Sequence, residues 1–374
     1  MDKKTFSAPG RIEICGNHTD HQRGMVMAAA INLEATCIAA PNGTGAIHIS
    51  SDGFAPADID LRDLNARDDE KGAIEALVRG VAHWFKKRGY AIGGFDAEIK
   101  SDIPAGMGLS SSAAFEVLIG NVFKGLFGSD APPLDIALAG QYAENVYFGK
   151  PCGLMDQVAS SFGGLMTIDF FDPVIPVVTR VAAGFGHYAP CVVATGGSHA
   201  DLTGDYAAIP AEMGAVAAHF GKTSLRDVHE EEFYSAIGGL RHLGDRAILR
   251  AMHFFKENER VKRQAAALMR GDLPEFMALV IESGRSSMEL LQNIYSPNAP
   301  QQQGLTLGLA LSESVLRGRG AWRVHGGGFA GTILAFVPED LKNEYETRMD
   351  AVFGIGSCHF LSIRDTGGAM SPSY

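Results

Sequence analysis

No stretch of this chain comes near the roughly 20 unbroken apolar residues that a membrane-spanning helix needs, so no membrane role is expected. Dense basic tracts are also missing and the formal net charge is -11, which argues against a nucleic-acid-binding surface. The five cysteines, Cys15, Cys37, Cys152, Cys191 and Cys358, are scattered, odd in number and form no Cys-x-x-Cys pair. That speaks against zinc and disulfide frameworks and for a reducing cytoplasm. The first ten residues carry no apolar core of a secretory signal. Internal repeats and low-complexity segments are absent. What is present is 374 residues, 46% hydrophobic and 20% charged, the balance of a soluble globular protein long enough for two domains.

Glycine is plentiful, at 45 residues. The most informative glycine turn is Pro104-Ala-Gly-Met-Gly-Leu-Ser-Ser-Ser-Ala113. It lies between an alternating, strand-like run over residues 95–101 and a helix-like run from Ser111, in which Ala113, Ala114, Val117, Leu118, Val122 and Leu126 recur at helical spacing. Gly106 and Gly108 let the backbone approach a ligand, and the N–H groups opening the helix face an anion. Ser110, Ser111 and Ser112 add hydroxyls for hydrogen bonds or a magnesium ion. The same residues suit a plain helix cap. The lysine of the Walker phosphate loop is missing after Gly108. Phosphates held here would need a metal and distant arginines to balance their charge.

Strands and helices alternate around this turn. Residues 31–40 and 46–51 are strand-like, joined by Pro41-Asn-Gly-Thr-Gly. Helices are predicted over residues 72–88 and 134–148, with a short one over 154–162 after Pro151-Cys-Gly. Residues 165–170 and 187–195 are strand candidates, and residues 205–316 are mainly helical. Trp322 to Val337 reads as a glycine turn followed by a strand. The mixture predicts an α+β fold of two domains, with a boundary near residues 171–176.

Three further segments carry candidate chemistry. Residues 8–21 place Arg11, His18 and Asp20 close together, a set able to hydrogen-bond several sugar hydroxyls. An ordinary turn, with Asp20 as a cap and Arg11 paired at the surface, would use the same residues. In Pro151-Cys-Gly-Leu-Met-Asp-Gln157, Asp156 falls in a first helical turn, where the dipole stabilises a carboxylate. It is either a cap or a group that orients a substrate hydroxyl or takes its proton. Glu144, on a mostly apolar helix, is either solvated or a magnesium ligand beside a serine of the turn. Gly326-Gly-Gly-Phe-Ala-Gly331 is a second glycine turn, which alone reads as a tight strand entry.

The order and content of these segments resemble the GHMP small-molecule kinases, and within them the galactokinases. Residues 9–20 resemble the signature Gly-Arg-x-Asn-Leu-Ile-Gly-Glu-His-Thr-Asp-Tyr, Gly108–Ala113 the nucleotide loop, Cys152–Gln157 the Cys-Gly-Ile-Met-Asp-Gln motif, and Gly326–Gly331 the third motif of that family. The resemblance spans essentially the whole chain. It implies a two-domain GHMP kinase fold over residues 1–182 and 183–374, with the active site in the cleft between them. It implies transfer of phosphate from ATP, with Mg2+, to the anomeric hydroxyl of a sugar such as D-galactose. By the same resemblance Asp156 and Arg11 are catalytic. Asn17, His18, Asp20, Gly153 and, by a looser match, Tyr206 bind the sugar. Gly106, Met107, Gly108, Leu109, Ser110, Ser111 and Ser112 bind ATP, and Ser112 with Glu144 holds the metal.

Two departures stand within the signature: Asn17 replaces its glutamate, which contacts the sugar's C6 hydroxyl in the family, and His21 replaces its tyrosine. The string His-x-Asp-His-Gln also resembles plant galacturonokinases, so galacturonate stands beside galactose as an expected substrate. The family's arginine cluster after Tyr206 is missing too. A catalytically silent sugar sensor on the same fold is the reading from another class, and the retained Ser110–Ser112, Glu144, Asp156 and Arg11 weigh for catalysis. A dinucleotide-dependent oxidoreductase has little support, because neither glycine turn spells Gly-x-Gly-x-x-Gly in a strand–helix context. Oligomeric state is left open.

Overall fold

The computed structural model of the chain describes residues 2–51, 55–104, 106–197 and 202–371; Ala105 of the serine turn lies outside them. The first half builds strands β1 (Lys4–Cys15), β2 (Met25–Pro41), β3 (Ala46–Ser51), β4 (Ala57–Asp60), β5 (Phe95–Ser101), β6 (Leu165–Asp169) and β7 (Val177–Arg180). Helices α1 (Ile74–Lys87), α2 (Ser111–Phe127), α3 (Pro133–Tyr142) and α4 (Met155–Phe162) are interleaved with them. The second half contributes β8 (Tyr188–Ala194), β9 (Ala321–His325), β10 (Thr332–Pro338), β11 (Cys358–Phe360) and β12 (Ala369–Met370). Its helices are α5 (Thr203–His219), α6 (Glu230–Leu240), α7 (Asp245–Met269), α8 (Leu273–Ser286), α9 (Gly304–Leu316) and α10 (Lys342–Phe353).

Two sheets result. The larger runs β12-β1-β2-β5-β3-β4, with β6 also on β2 and β7 on β6. All its pairings are antiparallel except β3 with β5. The smaller is antiparallel, in the order β11-β8-β10-β9. The chain end returns to the larger sheet through β12, where Phe6 faces Met370.

The long first strand, β1, is not called from sequence because ten consecutive residues, Phe6 to Cys15, are buried, which erases the apolar–polar alternation. Its register with β2 shifts between Pro9 and Arg11, since proline has no N–H for the ladder. The expected glycine-turn-then-strand at residue 322 is a strand on both sides of the turn, β9 and β10. The helix expected over 134–148 is α3 followed by a π-helical turn over Ala143–Phe148. That widened turn passes α1 at Gly80, where a Cβ would stand 2.6 Å from the Ala143 Cα.

A continuous core of Phe6, Ile12, Ile31, Val117, Leu118, Phe123, Leu334 and Phe336 runs through both sheets. A fully buried arginine locks the seam between them. Arg323 on β9 donates from Nη2 to Glu13 Oε1 (2.8 Å) and from Nη1 to the Ile14 carbonyl (2.6 Å), both on β1.

Candidate active site

Three helices deliver the predicted phosphate and catalytic groups to one place. The serine turn leads into α2 with Gly106 and Gly108 at φ of +76° and +64°, conformations that glycine takes without strain. Behind Gly108 stand Thr332 and His325 of the smaller sheet, 3.3 and 3.6 Å from where a Cβ would project. Leu109 and Met107 turn their side chains into the core, leaving only backbone to face a ligand.

Ser110 decides between cap and cradle. It is left-handed (φ +61°) and makes no cap bond to α2; its hydroxyl instead donates to Asp156 Oδ2. The 17-residue helix α2 therefore begins with no side-chain cap, and Ser111 and Ser112 are only half-buried on its first turn. A helix N-terminus kept open in this way leaves backbone N–H groups available to an anion.

Asp156 is the second residue of α4 and caps nothing. Arg11 grips it in two parallel bonds, Nε to Oδ1 and Nη2 to Oδ2, both 2.7 Å. The third guanidinium nitrogen donates to the Gly108 carbonyl. Arg11 is thus not a surface partner: it is 6% exposed and ties the carboxylate to the serine turn. Burial pushes the Asp156 carboxyl up, but the Arg11 guanidinium, the Ser110 hydroxyl and the Lys150 ammonium outweigh it and hold the group below its usual range. Asp156 is an anion throughout neutral pH.

Glu144 sits in the π turn and is nearly fully buried, so the solvated reading does not hold. Ser112 Oγ donates to its Oε1 at 3.3 Å, and Lys150 Nζ to the same oxygen at 2.8 Å. Gln157 Nε2 reaches both Glu144 Oε2 (3.1 Å) and Glu116 Oε2 (3.0 Å), joining α4, the π turn and α2. Burial raises Glu116 well above the usual carboxyl range. Among the described residues no cluster of three or more His, Cys, Asp or Glu could hold a metal. Magnesium does not require one: it is typically held by one or two carboxylates, water and substrate phosphates. Ser112 Oγ and Glu144 Oε1 are hard oxygen donors at the phosphate cradle, and a cation, the Lys150 ammonium, already rests on Glu144. The donor set fits the ion.

The sugar motif lies against the second glycine turn. Three successive carbonyls there accept hydrogen bonds: Gly326 from Asn17 Nδ2 (2.7 Å), Gly327 from His18 Nε2 (2.9 Å) and Gly328 from the Tyr206 hydroxyl (2.8 Å). A carbonyl only accepts, so His18 carries its proton on Nε2 and offers Nδ1 as an acceptor. Burial and the neighbouring His21 lower the His18 pKa to about 3, which keeps the ring neutral. Asp20 caps no helix, and its carboxylate lies so close to Gly153 that any side chain at 153 would collide with it. Asp20 and Gly153 thus meet, three residues along the chain from Asp156, with His18 two residues before Asp20 on the sugar motif.

Asn17 is placed differently from the expectation. It is 1% exposed and its amide is used inside the protein. Nδ2 donates to Glu13 Oε1 (3.0 Å) and the Gly326 carbonyl, while Oδ1 accepts from Asn293 Nδ2 (2.8 Å) and Ser287 Oγ (3.3 Å). No polar position of the amide is left for a C6 hydroxyl. The reason is visible one turn earlier. The signature's asparagine aligns with Glu13 and its glutamate with Asn17, so amide and carboxylate have exchanged places. The carboxylate went to the position facing buried Arg323.

Several contributors escaped sequence reasoning. Glu257 on α7 accepts from the Gly16 N–H (3.1 Å), Cys15 Sγ, Ser283 and Arg260, anchoring the strand end just before Asn17. Asn293, His325 and Glu116 were missed as well, because each acts through contacts distant in sequence, and Lys150 because only the π turn lays it on nearby Glu144. Only the exchange at 13 and 17 left a sequence signal, a mismatch at both positions of one signature.

The fold, the open helix terminus and the arginine-gripped carboxylate define a small-molecule kinase of the GHMP class. Residues 76–164 match the GHMP kinase N-terminal domain, and residues 2–41 match the galactokinase galactose-binding signature. A galactokinase of Glaesserella parasuis is 31% identical over 345 residues, covering 90% of this chain and 86% of that protein. The crystal structure of Lactococcus lactis galactokinase complexed with galactose superposes with a TM-score of 0.82 at 26% identity, covering 99% of this chain and 95% of that one. Methanococcus jannaschii mevalonate kinase shares the fold, with a TM-score of 0.68 at 14% identity over 97% and 98% of the two chains. The chain belongs to the galactokinase family.

Proposed function

We propose that this chain transfers the γ-phosphoryl group of ATP to the anomeric hydroxyl of D-galactose, giving galactose 1-phosphate and ADP. The observation that carries the reading is the knot of Arg11, Asp156 and Ser110 at the open N-terminus of α2, with Asp20 meeting Gly153 three residues along the chain from Asp156.

The sugar's hydroxyls bond to Asp20 and to His18 Nδ1, which brings its O1 to Asp156. The ATP phosphates lie on the backbone of Gly106–Ser111 and on the N-terminus of α2. Ser112 and Glu144 would hold a magnesium ion, which would supply positive charge to offset that of the phosphates. Asp156 accepts the hydrogen bond of the attacking hydroxyl and orients its lone pair in line with the γ-phosphorus. The bond from O1 to phosphorus forms as the bond to the ADP oxygen breaks. Because Arg11 and Ser110 hold Asp156 below its usual pKa, it is a weak base, and the proton leaves O1 only as O1 gains its bond to phosphorus. Arg11 sits where charge develops on the transferred group. Positioning and charge neutralisation are what this reaction asks of a protein.

Segment 1–182 and most of segment 183–374 act as lobes about this cleft, with Arg323 and the glycine turn at their seam and β12 returning to the first lobe. Among the described residues no helix is long and apolar enough to cross a membrane. The cysteines, all free, support a cytoplasmic home.

The test is ADP release from ATP and magnesium with galactose, galactosamine, galacturonate, arabinose, glucose and mevalonate. Turnover with galactose is expected. Silence across the panel, with galactose still bound by calorimetry, would move the chain to the sensor class.

A further inference from the structure

We infer that Lys150 is a phosphate-binding residue, the cation that the serine turn lacks, and that its ammonium would pass from Glu144 to phosphate when a metal binds that carboxylate. The inference rests on the kinase reading above.

Lys150 follows the π turn directly, and both its N–H and that of Gly149 bond to the Glu144 carbonyl. The ammonium is therefore tied to Glu144 through main chain and side chain together. Its Nζ donates to Glu144 Oε1, the oxygen that also accepts from Ser112 on the first turn of α2. That places one positive charge a single carboxylate away from the phosphate cradle. The lysine side chain is 63% exposed, whereas Glu144 is 3% exposed. The ammonium therefore borders solvent, where an incoming phosphate can reach it, while the carboxylate is enclosed by protein.

A buried carboxylate that stays ionised is stabilised by a cation beside it. A metal ion on Glu144 would repel the Lys150 ammonium and weaken its hold on that carboxylate. The strongest anion within reach of a displaced Lys150 is the polyphosphate that arrives with the metal. The exchange leaves every charge paired: Glu144 passes from ammonium to metal, and Lys150 passes from carboxylate to phosphate. A Walker lysine reaches the same oxygens from within its own loop; here the lysine comes from the end of the π turn, 38 residues after Ser112.

The variant is Lys150→Met, which keeps the aliphatic stem and removes the charge, with Lys150→Arg as the conservative partner. Calorimetry with ADP and with a non-hydrolysable ATP analogue should show that Lys150→Met lowers analogue affinity by about ten- to a hundred-fold, as the loss of one charge-assisted hydrogen bond does. Lys150→Arg should recover most of it. Mn2+ binding in the presence of ADP, followed by electron paramagnetic resonance, should be equal or tighter in Lys150→Met, because no ammonium competes for Glu144. Galactose affinity should not move. Wild-type affinity for both nucleotides in Lys150→Met overturns the inference, as does weaker Mn2+ binding, which would make Lys150 only a brace for Glu144. Wild-type protein that turns over galactose while Lys150→Met behaves identically refutes this inference alone; wild-type protein without turnover refutes the kinase reading instead.

Discussion

Replacing Asp156 by alanine tests the site most directly. The substitution removes the acceptor of three donors: the two 2.7 Å bonds from Arg11 and the one from Ser110. A dry hydrogen bond to a charged group contributes about 1.5–3 kcal/mol. The Asp156 side chain is 32% exposed, so water reaches the vacated space and replaces part of that. Arg11, 7% exposed, keeps its bond to the Gly108 carbonyl and loses the rest. A net loss of about 2 kcal/mol follows, or a drop in Tm of about 2–3 °C for a chain of 374 residues. Transfer suffers far more. Losing the group that orients or deprotonates O1 removes about 10²–10⁴ in rate, and a drifting Arg11 adds to it. In the proposed site ATP lies on the serine turn and α2; Ser110 loses its partner on Asp156 while Arg11 keeps its bond to the Gly108 carbonyl, so nucleotide affinity should fall by less than about ten-fold. The assay pairs coupled ADP release with calorimetry of an ATP analogue and a thermal melt. Near-normal turnover would show that Asp156 neither orients nor deprotonates the hydroxyl. A collapse of nucleotide binding in a folded variant would show that the carboxylate holds up the phosphate cradle instead.

Other expectations follow from the same geometry. Gly153→Ala drives a methyl into the Asp20 carboxylate, so the KM for galactose should rise about ten- to a hundred-fold with that for ATP unchanged; an unaltered KM would remove both residues from the sugar site. Asn17→Glu puts a second buried carboxylate against Glu13 and should destabilise the fold by about 3 kcal/mol or more. Adding Glu13→Asn restores the signature's order and should recover part of the loss, and a melt showing no recovery would refute the exchange. Burial pushes Glu257 up, but Arg260 and its other partners outweigh this and lower it from 4.5 to about 2. Its contribution is fully present above about pH 4.5 and disappears as pH falls towards 2, on the order of 3 kcal/mol in all. Glu257→Gln should therefore flatten the acid limb of the stability curve; an unchanged limb between those pH values would assign acid unfolding to other carboxylates.

Much of the chemistry was legible in the chain. The strand–turn–helix at residues 95–127, the dipole position of Asp156 and the glycine turn at 326 follow from local spacing and residue type, which survive in sequence because backbone geometry demands them. The long strand β1 was not legible, because burial on both faces removes the alternation by which a strand is read. Nor was the destination of any long-range side chain. Ser110 as a cap and Ser110 as a partner of Asp156 have the same sequence; only packing of α2 against α4 chooses. Asn17 read as a sugar contact became a buried strut, because Asn293, Ser287 and Gly326 arrive from some 270 to 309 residues away to consume its amide. Lys150 carried no sequence signal of its own; the π turn laid it on Glu144. The sequence by itself determined which residue types were available and which backbone turns would hold them. The tertiary structure alone decided their pairings, since charge and hydrogen-bond partners are set by distances between atoms that the chain keeps far apart.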